Sequence, residues 1–122
     1  MPKEFSRTRR IGELIQRELA DIIRREVTDP HLGMITLSQV KITPDLKTAH
    51  VFVTALNAQV TPEHVVKKLN AVVGSLRYQL SQRLSIRNTP RLEFLYDSSI
   101  EYAVRLSALI DSVTISHNDV HG

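Results

Sequence analysis

At 122 residues the chain has the length of one domain, able to bury about two thirds of its unfolded surface around a single core. It contains no Cys, which excludes disulfides and thiolate metal sites and fits a reducing compartment. With 16 Lys and Arg against 13 Asp and Glu, the formal charge is only +3, which points to a partner only if the charges are segregated.

The N-terminal ten residues, MPKEFSRTRR, are charged and lead into no apolar run of the kind a secretory signal requires. No stretch approaches the roughly 20 consecutive apolar residues of a membrane span. The chain therefore reads as soluble, with no membrane partner.

The first predicted element is an amphipathic helix over Arg7 to Val27. Ile11, Leu14, Ile15, Leu19, Ile22, Ile23 and Val27 follow the spacing of one helical stripe. Thr28-Asp29-Pro30 ends it, because Pro30 lacks a donor and disfavours helical geometry at Asp29. His31-Leu32-Gly33 then turns the chain.

Met34 to Thr43 reads as a strand whose apolar parity switches, from odd positions at Ile35 and Leu37 to even ones at Val40 and Ile42. Such a switch flips the buried face unless one residue is inserted, so a β-bulge is expected near Ser38-Gln39. Thr43 to Lys47 is turn-like, and Thr48 to Leu56 follows as a second strand with Ala49, Val51, Val53 and Ala55 on one face. The short connection predicts an antiparallel hairpin.

Thr61-Pro62-Glu63 supplies an N-cap, a proline at the first helical position and an acid in the first turn. The helix it opens carries a stripe from Val65 through Leu69, Leu76 and Leu80 to about Arg87, interrupted by Gly74. A mid-helix glycine costs up to about 1 kcal/mol relative to alanine, which predicts a kink or a close backbone contact there. Asn88-Thr89-Pro90 stops the helix. Arg91 to Asp97 alternates as a third strand, with Leu92, Phe94 and Tyr96 on one face. Ser98-Ser99-Ile100-Glu101 fits a capping box for a last helix with the stripe Tyr102, Leu106, Leu109, Ile110 and Val113. The order helix, strand, strand, helix, strand, helix predicts an α+β fold with helices packed on one face of a three-stranded sheet. Residues 1–116 are expected to form one domain and residues 117–122 a disordered tail.

Catalysis needs converging groups, and the sequence offers none. His31, His50, His64, His117 and His121 sit in five different settings; only His117 and His121, in the tail, have metal-ligand spacing. There is no Gly-x-Ser-x-Gly elbow, and four glycines are too few for a nucleotide-binding loop. The pair Asp97 and Glu101 is explained by capping. No enzyme activity, cofactor, metal or small-molecule substrate is expected.

The remaining signal is charge distribution. No acid lies between Glu63 and Glu93, while Lys67, Lys68, Arg77, Arg83, Arg87 and Arg91 all do. Lys3, Arg7, Arg9 and Arg10 lead the N-terminal third, with Arg7, Arg9 and Arg10 as a second candidate patch, before Arg17, Arg24 and Arg25 interleave with acids. A solvated helical face is the ordinary fate of such a run, but a one-signed surface also suits nucleic-acid phosphates. Most of the six aromatics, Phe5, Phe52, Phe94, Tyr78, Tyr96 and Tyr102, read as core-facing. That disfavours recognition by base stacking and favours RNA backbone or shape.

Three segments resemble the bacterial ribosome-binding factor A family. They are Arg7-Thr-Arg-Arg-Ile-Gly-Glu-Leu-Ile-Gln-Arg-Glu-Leu19 with Thr28-Asp-Pro-His-Leu-Gly33; Val40-Lys-Ile-Thr-Pro-Asp-Leu46 with Ala49-His-Val-Phe-Val-Thr54; and Pro90-Arg-Leu-Glu-Phe-Leu-Tyr-Asp-Ser-Ser99. The resemblance implies a type II KH-like fold. It further implies a non-catalytic, cytoplasmic assembly factor that binds the immature 30S subunit and its 16S rRNA, supporting late maturation, pre-rRNA processing and growth in the cold. Ribosomal proteins are implied as possible sharers of the contact, and the factor is expected to act as a monomer. In that family an Ala-x-Gly kink replaces the Gly-x-x-Gly loop of ordinary KH domains. The matching residues are Val72-Val73-Gly74, with valine in place of alanine, so a shallower or differently packed kink is expected. The alternative from the residues alone is a protein-interaction module on the same scaffold, without RNA contact. A small enzyme of unrecognised type is the third reading.

Overall fold

The computed structural model describes residues 3–86, 88–99 and 103–110, with backbone only for residues 3–6. Arg87, the Ile100-Glu101 half of the capping box, Tyr102, Val113 and the tail over 117–122 lie outside the described residues.

Helix α1 (Lys3–Glu26) presents its apolar stripe to a sheet of β1 (Met34–Ile42), β2 (Thr48–Leu56) and β3 (Arg91–Tyr96). Ile15, Leu19 and Ile22 are fully buried in that contact. Asp29 caps a 3₁₀ turn over Pro30–Leu32, and Gly33 closes it at φ 68°, a left-handed value that glycine adopts without strain.

Strands β1 and β2 pair antiparallel as a hairpin, and β3 adds parallel to β2, giving the order β1-β2-β3. The register shifts between Leu37 and Gln39, so Ser38 is the inserted residue that the parity switch predicts. The shift lets Ile35, Leu37, Val40 and Ile42 all contact the core.

The long second helix is two helices, α2 (Pro62–Ala71) and α3 (Val73–Arg83). As the sequence predicts, the Thr61 hydroxyl accepts from the His64 N–H at 3.2 Å and Pro62 opens α2. The break falls at Val72, with φ −109° and ψ 14°, rather than at Gly74. Val72 serves as C-cap of one helix and N-cap of the next, and its side chain cannot cap α3. The close backbone contact expected at Gly74 is absent: a Cβ there would meet nothing within 4 Å. The stripe continues across the break through Val65, Leu69, Leu76 and Leu80, all buried. Helix α3 ends at Arg83, four residues short of the expected limit, because Leu84 turns extended and buries its side chain.

Three helices thus cover one face of the sheet, the arrangement expected of the α+β, KH-like fold. One expectation fails. Residues 103–110 are helical, but every one is exposed, including Leu106, Leu109 at 61 % and Ile110 at 55 %. Three strands about 4.8 Å apart offer little more width than one and a half helices of about 10 Å each, and α1 with the α2–α3 pair already fills it. The stripe has helical spacing without a surface to receive it. Among the described residues no helix is long and apolar enough to cross a membrane.

Candidate nucleic-acid interface

No polar or charged side chain among the described residues is buried, and no three His, Cys, Asp or Glu converge as metal ligands. What chemistry the protein presents is therefore at its surface, and the arrangement of cations decides it.

The break between α2 and α3 opens a cleft against β3. It is lined by Asn70, Val73, Gly74, Arg77, Arg91, Leu92 and Glu93. Gly74 leaves the backbone bare there, and α3 begins without a side-chain cap, so its first N–H groups add a positive partial charge to those of Arg77 and Arg91. On the other side of Arg77 lies a second depression, lined by Arg7, Lys47, Ile86, Asn88 and Thr89 among others. Arg77 is the shared wall. Its Nε donates to the Pro90 carbonyl at 3.2 Å and its Nη2 to the Thr89 carbonyl at 2.7 Å. Carbonyl oxygens fix the guanidinium without neutralising it, so Arg77 both pins the loop before β3 and keeps its charge.

Lys47 enters through the hairpin turn. The Leu46 N–H donates to the Thr43 carbonyl, and Leu46 itself takes φ 63°, a left-handed conformation costly for a branched apolar residue. The Asp45 carboxylate accepts from the Thr43 hydroxyl and the Lys47 N–H, which hold it below the ordinary aspartate pKa. Both bonds fall on Oδ1, so the turn fixes the carboxylate while its charge stays beside Lys47 in the same depression. The Lys47 carbonyl then accepts the Arg91 N–H at 2.8 Å, tying the hairpin to the start of β3. No charge run announces Lys47 in the sequence; only the pairing of β2 with β3 brings it here.

The other predicted cations divide. Arg83 does not join the cleft: its Nη1 lies 2.7 Å from Asp21 and 3.4 Å from Glu18, tying α3 to α1. That hydrogen bond is the main reason the Asp21 carboxyl is held below its usual value, with the Arg25 and Arg24 charges contributing further. Lys67 and Lys68 are exposed on α2, but Lys68 borders a groove with Glu26 and Asp29. Arg9 pairs with Glu13 at 3.3 Å, and Arg10 is exposed beside it. The aromatics divide too. Of the four aromatic side chains that the structure describes, Phe94 is buried and Tyr96 half-buried against the core, whereas Tyr78 is 66 % exposed and Phe52 lies on the open sheet face under the Lys41 ammonium; the Phe5 side chain and Tyr102 lie outside the described residues.

Fold and surface together define a KH-like α+β module with cations from α1, the hairpin turn, α3 and β3 gathered around a broken helix. Residues 7–110 match the family model described as ribosome-binding factor A, and the chain belongs to that family. The protein of that name from Nitrosospira multiformis is 50 % identical over 116 residues, covering 95 % of this chain and 92 % of its own. The crystal structure of ribosome-binding factor A from Thermus thermophilus superposes with a TM-score of 0.65 at 28 % identity, over 73 % of this chain and 94 % of that one. The Thermus thermophilus factor as fitted into a cryo-EM map of a 30S complex gives a TM-score of 0.62 at 29 % identity, over 71 % and 91 %.

Proposed function

We propose that this protein is a non-catalytic, cytoplasmic assembly factor that binds the immature 30S subunit through its 16S rRNA and assists late maturation and pre-rRNA processing. The observation that carries the reading is the placing of Arg7, Lys47, Arg77 and Arg91, from four separate segments, in two depressions that share Arg77 as their wall, one of them at the bare start of α3. A relative of the same fold fitted into a 30S complex supports the choice of partner. In this reading Arg7, Lys47 and Arg91 contact phosphates, Arg77 contacts them while holding the loop, and Lys67, Lys68 and Arg10 extend the field. Arg83 acts within the fold. A duplex RNA backbone presents dense negative charge, and neutralising it releases counterions, so binding falls steeply with salt.

The test is co-sedimentation of the protein with purified small and large ribosomal subunits at low and high salt. Salt-sensitive association with the small subunit alone, lost on reversing Lys47 and Arg91 to Glu, is expected. Equal binding to both subunits would reduce the cations to non-specific attraction. Small-subunit binding indifferent to salt and to both reversals would favour contact through ribosomal protein.

A further inference from the structure

Strand β3 is the outer strand of the sheet, and its free edge faces the helix break. Arg91 and Asp97 donate their N–H groups inward, to the carbonyls of Lys47 and Val53 on the β2 side. That alternation turns the N–H and C=O of Leu92 and Phe94 outward, along the edge of the sheet. At Phe94 both are taken. Asn70 Oδ1 accepts from the Phe94 N–H at 3.1 Å, and Asn70 Nδ2 donates to the Phe94 carbonyl at 3.3 Å.

A carboxamide carries an acceptor and a donor side by side in one plane. The edge of a nucleobase carries the same pair, which is how an unstacked base satisfies a backbone amide and carbonyl. Asn70 sits two residues before the break at Val72 and lines the same cleft as Arg77 and Arg91. The cleft therefore attracts RNA by charge; its wall carries the outward backbone pair of Leu92, and the next pair along β3, that of Phe94, is already filled by the protein itself.

We infer that Asn70 is a specificity-determining residue, which closes the Phe94 position of the β3 edge to unstacked RNA bases by occupying both of its backbone groups. The inference rests on the RNA-binding reading and deepens it: RNA enters the cleft through its phosphates, and no base is read at Phe94. A purely structural Asn70 would tie α2 to β3 and make no difference to which nucleic acid binds.

The experiment titrates the protein and its Asn70→Ala variant, at low salt, with short oligo(rA) and with an abasic ribose-phosphate chain of equal length. The ratio of the two affinities is read for each protein. The variant is expected to bind oligo(rA) about fivefold to a hundredfold tighter than the wild type does, the worth of one bidentate contact, with the abasic chain unchanged. An unchanged preference in a folded variant overturns the inference. If the variant does not fold, amide hydrogen exchange of the wild type decides: Phe94 should exchange as slowly as the inward-facing Leu95, and fast exchange at Phe94 would overturn the closed edge. Loss of salt-sensitive RNA binding by every form would instead sink the RNA reading itself.

Discussion

Gly12 of α1 lies directly against the backbone of Val40 in β1: a Cβ on Gly12 would sit 2.9 Å from the Val40 carbonyl oxygen. One turn further on, Gln16 Nε2 donates to the Leu37 carbonyl at 3.0 Å, beside the bulge. The helix thus covers the outer edge of β1 at close range and satisfies an acceptor that strand alternation turns outward there. Gly12→Ala gains up to about 1 kcal/mol of helix propensity but must push α1 off a backbone atom that cannot rotate away. Overpacking of this kind costs about 1–3 kcal/mol, so a net loss is expected. A urea midpoint equal to or above the wild type would mean that α1 slides on the sheet without resistance.

The two ends of the helical sequence should respond differently to truncation. Leu80 is fully buried among α1 and the sheet, so Leu80→Ala is expected to cost about 2–5 kcal/mol. Leu109, read from sequence as part of a packed stripe, is 61 % exposed, and Leu109→Ala should fall within about 0.5 kcal/mol of the wild type. Chemical denaturation of both variants measures this directly. A large loss for Leu109→Ala would show that the last helix is a structural part of the fold.

The pH dependence follows from four depressed carboxyls. Asp97 is held below its ordinary value by the Ser38 hydroxyl, at 2.5 Å, and then by Ser99; Asp21, Asp29 and Asp45 are depressed by Arg83, His31 and Thr43. A folded-state pKa below the unfolded one stabilises at any pH above the unfolded value and is lost as pH falls through the folded one. Stability should therefore be flat on the acidic side of neutrality and decline below about pH 4, the ordinary aspartate range. Ser38→Ala should flatten part of that decline, because it removes the main group that lowers Asp97. An acid limb identical in both proteins would assign the loss elsewhere.

What the sequence made legible is what depends on neighbours along the chain. Ser38 as an inserted residue follows from the switch in apolar parity, and the start of α2 from Thr61-Pro62-Glu63, because strand period and helix capping are local. The site was legible only in part. The acid-free run includes Arg77 and Arg91, which the fold brings together at the cleft, but it also includes Arg83, whose acid partners stand 62 and 65 residues away on α1. A charge run in sequence cannot report a neutralising partner on another helix. Lys47 and Asn70 were not singled out for the complementary reason: Lys47 reaches the depression beside Arg77 only through the parallel pairing of β3, and Asn70 reaches the cleft only through the packing of α2 on its edge. The exposed helix over 103–110 shows the limit of periodicity, which gives the spacing of a stripe and not the surface it packs against.

Gly74 separates stability from binding. With nothing within 4 Å of its would-be Cβ, Gly74→Ala should leave the fold intact and raise stability by up to about 1 kcal/mol through helix propensity. The same methyl would stand in the cleft where RNA meets the start of α3. A variant of equal or higher thermal midpoint and weaker small-subunit binding is expected. Unchanged binding would mean that RNA does not approach the bare backbone at the break.

The salt dependence of small-subunit binding should sort the cations by what they touch. Lys47→Ala and Arg91→Ala each remove one charge from the two depressions beside Arg77 without breaking an ion pair of their own side chains, so each should reduce the logarithmic salt slope by roughly 0.7 to 0.9. Arg83→Ala removes a charge of the same sign from the same acid-free run, but that charge is spent on Asp21 and Glu18. It should lower the denaturation midpoint and leave the slope where it was. Arg77→Lys is the intermediate case: it keeps the charge but not the fork that holds the Thr89 and Pro90 carbonyls, so the slope should persist while affinity falls as the loop loosens. If Arg83→Ala reduced the slope as much as Lys47→Ala, its ion pair would have to open on the ribosome, and the interface would extend across α3 toward α1.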